Sequence, residues 1–132
     1  MKKEIYKQEG YDLIGAAFEV YREQGHGLAE EIYQESLELE LASRGINFQP
    51  RAGLTVFYKG QPLKCRYVPD LVVFGGIVVE LKAVSALTDE HEGQLMNYLR
   101  IARQPVGYLI NFGPAGGLQW KRFILSEFIS DN

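Results

Sequence analysis

The chain has 132 residues, enough for one compact domain and too few for two independent cores. Hydrophobic residues make up 46% and charged residues 23%, a globular balance that excludes disordered, collagen-like and low-complexity classes. The net charge of −3 excludes a domain that grips nucleic acid by global positive charge, so any such binding must be local.

The N-terminus, Met1-Lys2-Lys3-Glu4, turns polar too quickly for a signal peptide. Ile14, Ala17, Phe18 and Tyr21 then follow the spacing that gives a helix one apolar face, and Gly25-His26-Gly27 breaks that helix. A second helix is expected from Glu30 to Arg44, with Tyr33, Leu37 and Leu41 on one stripe and Gly45 as a left-handed cap. Gly27 permits the backbone turn before it.

After Ile46 the pattern changes to short runs rich in Val, Tyr, Phe and Leu, which predict strands near 54–58, 65–74 and 77–83. Leu71-Val72-Val73-Phe74 and Ile77-Val78-Val79 are continuously apolar, as strands covered on both faces should be. The whole stretch from Leu71 to Val79 is too short to span a bilayer. A third helix from Asp89 to Arg103, capped by Thr88 or Asp89, carries His91, Gln94, Leu95, Tyr98, Leu99 and Ala102 on one face. Strands over Val106 to Phe112 and Leu118 to Leu125 complete a single α/β domain over 1–132 with the order α-α-β-β-β-α-β-β. The lone Cys65 has no internal disulfide partner, which suits a reducing cytoplasm, and its expected role is strand packing.

Charge divides unevenly along that order. Residues 1–45 hold five basic and ten acidic side chains, whereas residues 46–132 hold nine and seven. The strand-rich part is therefore the basic part.

Asp70 and Glu80 bracket the most apolar segment of the chain, and Lys82 follows two residues on. A buried charge costs several kcal/mol unless it is paired or metal-bound, so three ionisable groups in central strands ask for a shared explanation. Strand periodicity puts Glu80 and Lys82 on one face. A two-residue loop at Gly75-Gly76 would place Asp70 opposite Leu81. A three-residue loop, Phe74-Gly75-Gly76 with Gly76 left-handed, pairs Val73 with Ile77 and places Asp70 opposite Glu80. The second register is the expected one. Two hard oxygen donors and an ammonium then converge, and with the backbone carbonyl of Leu81 they suit Mg²⁺, which prefers few protein carboxylates and several waters. Lys82 could orient or deprotonate a water or stabilise developing phosphorane charge. The plainer alternative is a structural Glu80–Lys82 or Asp70–Lys82 ion pair.

Val68-Pro69-Asp70 followed by Glu80-Leu81-Lys82 at the end of the next apolar strand resembles the signature of the PD-(D/E)XK nuclease superfamily. Gly27-Leu28-Ala29-Glu30-Glu31-Ile32-Tyr33 is similar to the pattern that names the GxxExxY proteins within it, and the likeness extends from about Tyr11 to Leu125, through Tyr58-Lys59-Gly60, Asn111-Phe112-Gly113 and Lys121-Arg122. His26 and Ala29 depart from the usual pattern, outside the catalytic set. The resemblance implies a restriction-endonuclease-like core, a central mixed sheet of about five strands flanked by helices. It also implies metal ligation by Asp70 and Glu80, a catalytic Lys82, and Mg²⁺ as cofactor with Mn²⁺ able to substitute. Gln94-Leu95-Met96-Asn97-Tyr98 is similar to the Gln-x-x-x-Tyr motif of recombination-type exonucleases, which adds Gln94 and Tyr98 as residues that place the lysine or the phosphate. In related nucleases a glutamate on an early helix faces the metal, a role open to Glu30. A helix-opening carboxylate favoured by the macrodipole accounts equally well for that residue.

The remaining candidates are local. His91 could contact phosphate or cap its helix, and His26 reads as loop. Arg66, Arg100, Arg103, Lys121 and Arg122 are candidate phosphate contacts that singly read as surface charges. Tyr58, Tyr67 and Trp120 could stack on bases or sit in the core. The expected function is Mg²⁺-dependent hydrolysis of phosphodiesters, DNA in particular. The alternative is a nuclease-fold module of weak or no turnover that binds nucleic acid or a protein partner. A homodimer would enlarge the small surface available to wrap a duplex.

Overall fold

Both N-terminal helices form where the apolar stripes lie. In the computed structural model, which describes residues 5–129, α1 spans Lys7–Gln24 and α2 spans Glu30–Ser43. Residues 1–4, whose polarity argues against a signal peptide, lie outside the described residues. Tyr33, Leu37 and Leu41 are fully buried on α2 as expected, and Gly45 is left-handed with φ 70°. On α1 the buried stripe runs through Leu13, Ala16, Ala17 and Val20, which rotates Phe18 outward and leaves it 49% exposed, contrary to its expected place on the apolar face.

Seven strands follow among the described residues, two more than expected. They are β1 (Phe48–Pro50), β2 (Leu54–Tyr58), β3 (Gln61–Tyr67), β4 (Leu71–Val73), β5 (Ile77–Lys82), β6 (Val106–Asn111) and β7 (Gln119–Ile124), with α3 (Asp89–Ile101) between β5 and β6. The single strand expected over 65–74 is therefore two. It breaks at Val68-Pro69-Asp70, where proline has no N–H to continue a ladder, and the chain passes there from one sheet to another. The observed order is α-α-β-β-β-β-β-α-β-β.

Five strands form a mixed sheet in the order β1-β4-β5-β6-β7, in which only β5 and β6 run parallel. The apolar strands β4, β5 and β6 are its centre, as their unbroken hydrophobic runs require. Ile77, Val79 and Leu81 face a core shared with α1 and α2, while Val78 faces a second core with Leu95 and Leu99 of α3. Glu80 and Lys82 thus belong to the α3 face. β1 pairs with β4 at Pro50↔Leu71, so residues 51–70 leave and rejoin the sheet at one point. Within that excursion β2 and β3 form a separate two-stranded antiparallel ribbon. Cys65 lies on its outer strand and is exposed, not packed, because nothing covers either face of β3 there.

The β4–β5 hairpin adopts the three-residue register, with Val73 opposite Ile77. Its left-handed residues are Phe74 and Gly75, with φ of 56° and 73°, and not Gly76. Phe74 is held by its N–H donating to the Asn47 carbonyl at 2.9 Å. Gly76 is needed for a different reason, since a Cβ there would collide with the Tyr6 ring. No helix among the described residues is long and apolar enough to cross a membrane.

Candidate active site

The hairpin register brings Asp70 and Glu80 together. Asp70 N–H donates to Glu80 Oε1 at 3.1 Å, and Leu81 N–H donates to Asp70 Oδ2 at 2.7 Å. The other Glu80 oxygen accepts from the Tyr67 hydroxyl at 2.8 Å. Glu80 is therefore oriented by donors from the end of β3 and from the link that follows it, and Asp70 by a donor from β5. Burial, opposed by the Tyr67 hydrogen bond and reinforced by the Asp70 charge, pushes Glu80 up to about 7. Burial also pushes the Tyr67 hydroxyl up, with the Glu80 charge next in effect.

α2 contributes two residues, the first exposed at the start of the helix and the second buried. Glu30 opens the helix, and its carboxyl is raised first by partial burial and then by the Asp70 charge, with Lys82 opposing. Gln34, one turn on and buried, donates from Nε2 to the Asp70 carbonyl and to Glu38 Oε2, both at 2.9 Å. The position of α2 is set by Tyr33. Its hydroxyl donates to the Gly25 carbonyl at 2.6 Å, accepts from Leu28 N–H at 3.2 Å, and its ring stacks on Phe112 at 4.6 Å. Gly27, with φ 84°, makes the turn that lets this loop close over the hydroxyl. Gly27, Glu30 and Tyr33 thus act as one local device that points the start of α2 at Asp70.

Lys82 ends β5 half-buried, and neither the Glu80–Lys82 nor the Asp70–Lys82 ion pair forms among the described residues. Beyond it the chain is clamped by fully buried Asn111. Asn111 Oδ1 accepts from the N–H groups of Val84 and Gly113, and its amide donates to the Val84 carbonyl and Gln119 Oε1. Tyr98 stacks on Tyr67 with centroids 4.2 Å apart, so it supports the group that holds Glu80 and does not itself bond a carboxylate. Gln94 lies one turn earlier on α3 and is exposed.

Several candidates lie elsewhere. His91 closes a capping box, its N–H donating to Thr88 Oγ1 and its Nδ1 accepting from Thr88 N–H. Arg100 bonds Asn97 on its own helix, and Lys121 pairs with Glu92 at 2.9 Å. Arg122 donates to the Ile5 carbonyl at 2.6 Å, beside Tyr108 and Trp120 in a groove of about 1060 Å³ against α1, on the sheet face away from Glu80. Arg103 covers the Phe57 ring. Arg66 is exposed on β3, next to Tyr67. Gln34 and the carboxylate-holding role of Tyr67 are not evident from sequence. For Gln34 the available signal is a polar residue on the stripe of Leu37 and Leu41.

The donor chemistry fits a hard divalent cation. Burial and the Asp70 charge raise both the Glu30 and the Glu80 carboxyl, against Lys82 and Arg51 at Glu30 and hydrogen bonds at Glu80, so a cation would relieve the excess negative charge. No cluster of three or more His, Cys, Asp or Glu side chains able to enclose a metal occurs among the described residues. Two carboxylates completed by a backbone carbonyl and water match Mg²⁺ better than an all-protein cage would.

Without metal, the raised Glu80 group has a definite effect on stability. Its folded value of about 7 exceeds the ordinary 4.5, so the folded state binds the proton more tightly than the unfolded chain does. The resulting stability is complete below pH 4.5 and is lost as pH rises through about 7. In EDTA at pH 8, Glu80→Gln is expected to be more stable than wild type by about 2 kcal/mol, the full shift being discounted for the solvent Glu80 keeps. The gain should vanish at pH 4. Urea denaturation at the two pH values checks both.

The model of the PD-(D/E)XK nuclease superfamily matches residues 7–123. No protein of curated function matches the sequence. Among solved structures, the crystal structure of SSO0001 is similar, with a TM-score of 0.54 and 20% identity. The match covers 71% of this chain and 48% of that one, so this chain spans about half the length of SSO0001. At that identity the likeness is one of fold.

Proposed function

This chain belongs to the PD-(D/E)XK nuclease superfamily, and on that premise we propose that it hydrolyses phosphodiester bonds of DNA with Mg²⁺ held by Asp70, Glu80 and the Leu81 carbonyl. Its three helices and mixed five-stranded sheet are a restriction-endonuclease-like core. We place it with the GxxExxY proteins on the Gly27, Glu30 and Tyr33 device. The observation that carries the reading is the Asp70–Glu80 pair, two half-buried carboxylates fixed by backbone donors with Lys82 on the same strand face.

When bound, the metal supplies Lewis-acid polarisation of a phosphoryl oxygen and a more acidic water. The protein's own groups do the rest. Asp70 and Glu80 would hold the ion, Tyr67 orients the Glu80 carboxylate, Gln34 holds the Asp70 main-chain carbonyl, and Glu30 adds negative charge that favours the cation. Lys82 orients the attacking water and offsets charge that develops on the phosphate. Gln94 and Tyr98 line the α3 side, where Tyr98 positions Tyr67.

Calorimetric titration with Mg²⁺ or Mn²⁺ and cleavage assays on labelled DNA test this. Wild type is expected to bind metal and cleave, and the Asp70→Asn, Glu80→Gln double variant to do neither. Metal binding without cleavage would favour the catalytically weak binding module. No binding at millimolar metal would overturn the metal site.

A further inference from the structure

All seventeen carboxylates of the chain lie outside residues 41–69, a stretch that contains Arg44, Arg51, Lys59, Lys64 and Arg66. In a protein of net charge −3 this is a strong local excess, and the fold gathers most of it on the β2–β3 ribbon. Lys59, Lys64 and Arg66 are exposed, and none forms an ion pair among the described residues. Every residue of β3 from Gln61 to Arg66 is exposed, although only one edge of the strand is paired. Between Thr55↔Arg66 and Phe57↔Pro62 one residue of β2 faces three of β3, a bulge that bends the strand and contains exposed Lys64.

The ribbon is tied directly to the carboxylates. Tyr67, the last residue of β3, holds Glu80, and Arg51 N–H at the other root donates to the Asp70 carbonyl at 3.2 Å. From that root the seven residues of β3 reach roughly 20 Å, about six base pairs of duplex.

We propose that the β2–β3 ribbon is the DNA-reading element of this protein, entering the major groove of duplex DNA with Lys59, Lys64 and Arg66 on the flanking phosphates. The proposal rests on the nuclease reading and names its substrate as duplex DNA. The B-form major groove admits a two-stranded ribbon, whereas the A-form RNA groove is too deep and narrow for side chains to read. Single strands are held chiefly by aromatic platforms. Among the described residues the ribbon offers Tyr58 at 63% exposure with Lys59 Nζ over its ring, and Arg103 covers Phe57, so no uncovered aromatic platform is presented.

The test is the binding of a fluorescent DNA duplex, its separate strands and the corresponding RNA duplex in EDTA over a range of salt. The proteins compared are wild type and the Lys59→Gln, Lys64→Gln, Arg66→Gln triple variant. Wild type should prefer the DNA duplex. The triple variant should bind it at least about tenfold more weakly, with the slope of log K against log salt reduced by about three. Should the triple variant melt early, the single variants Lys59→Gln and Lys64→Gln replace it, and each should lower the slope by about one. Unchanged affinity and slope would overturn the proposal. So would equal binding of single strands or duplex RNA, or a preference for polyglutamate, which would make the ribbon an acidic-protein site. Ribbon-dependent binding in a protein that never cleaves would leave this inference standing and overturn the nuclease reading; cleavage indifferent to the ribbon would do the reverse.

Discussion

Lys82→Ala is expected to lower kcat for DNA cleavage by about 10²–10³-fold with little change in KM. Lys82 sits at the end of β5, half-buried, on the strand face of Glu80 and outside any ion pair among the described residues. Its charge is nevertheless felt at Glu30. An ammonium held near carboxylates without being consumed by them is available to a substrate phosphate, where preorganised charge is worth most as negative charge grows. Because it closes no structural ion pair, its removal should leave the protein folded, with only a small lowering of the thermal melt from the carboxylate charge it offsets. Lys82→Arg separates the two roles: substantial recovery means charge alone suffices, and no recovery means that Lys82 handles a proton. A Lys82→Ala enzyme with wild-type kcat would overturn the assignment.

The second large effect is structural. Tyr33→Ala should destabilise the fold by about 3–5 kcal/mol, because it empties a fully buried ring site and breaks the stack on Phe112. Tyr33→Phe keeps the ring and removes only the hydroxyl that bonds Gly25 and Leu28, for a cost of about 1–2 kcal/mol. The milder variant is the more informative. If the hydroxyl also aims the start of α2, Tyr33→Phe should weaken Mg²⁺ binding in calorimetry at a temperature where the protein is fully folded. A loss below about 1 kcal/mol for Tyr33→Ala in urea denaturation would show that the ring is not the anchor.

The sequence makes these two sites legible to different depths. The Asp70–Glu80 contact follows from counting residues round a three-residue loop, since strand periodicity leaves only two choices of face. The conformation of that loop does not follow. Gly76 reads as the natural left-handed residue, but its place is dictated by Tyr6, seventy positions away, and Phe74 takes the unfavourable φ. The stretch 65–74 reads as one strand because its composition is uniformly β-forming. Only Pro69 hints that it changes sheets. β1 is three residues long and ends in proline, too short for any period to show. Gln34 and Tyr67 are hidden for another reason. Both carry ordinary helix or strand signals, and their roles depend on partners 36 and 13 residues away.

The pairing of Pro50 with Leu71 has a wider consequence. Because the excursion between them starts and ends on adjacent strands, its tip beyond Val56, which is buried in the core with Val78 and Leu99, can lengthen, shorten or be exchanged without disturbing any strand of the main sheet. The entropic cost of such remodelling is small, about 0.6 kcal/mol for each doubling of loop length. Only the two roots, at Arg51 and at Tyr67 to Asp70, are bound to the carboxylates. The outer ribbon is thus a replaceable cartridge on a fixed frame, a place where recognition could diversify among relatives, or be grafted by design, while the chemistry beneath it stays the same.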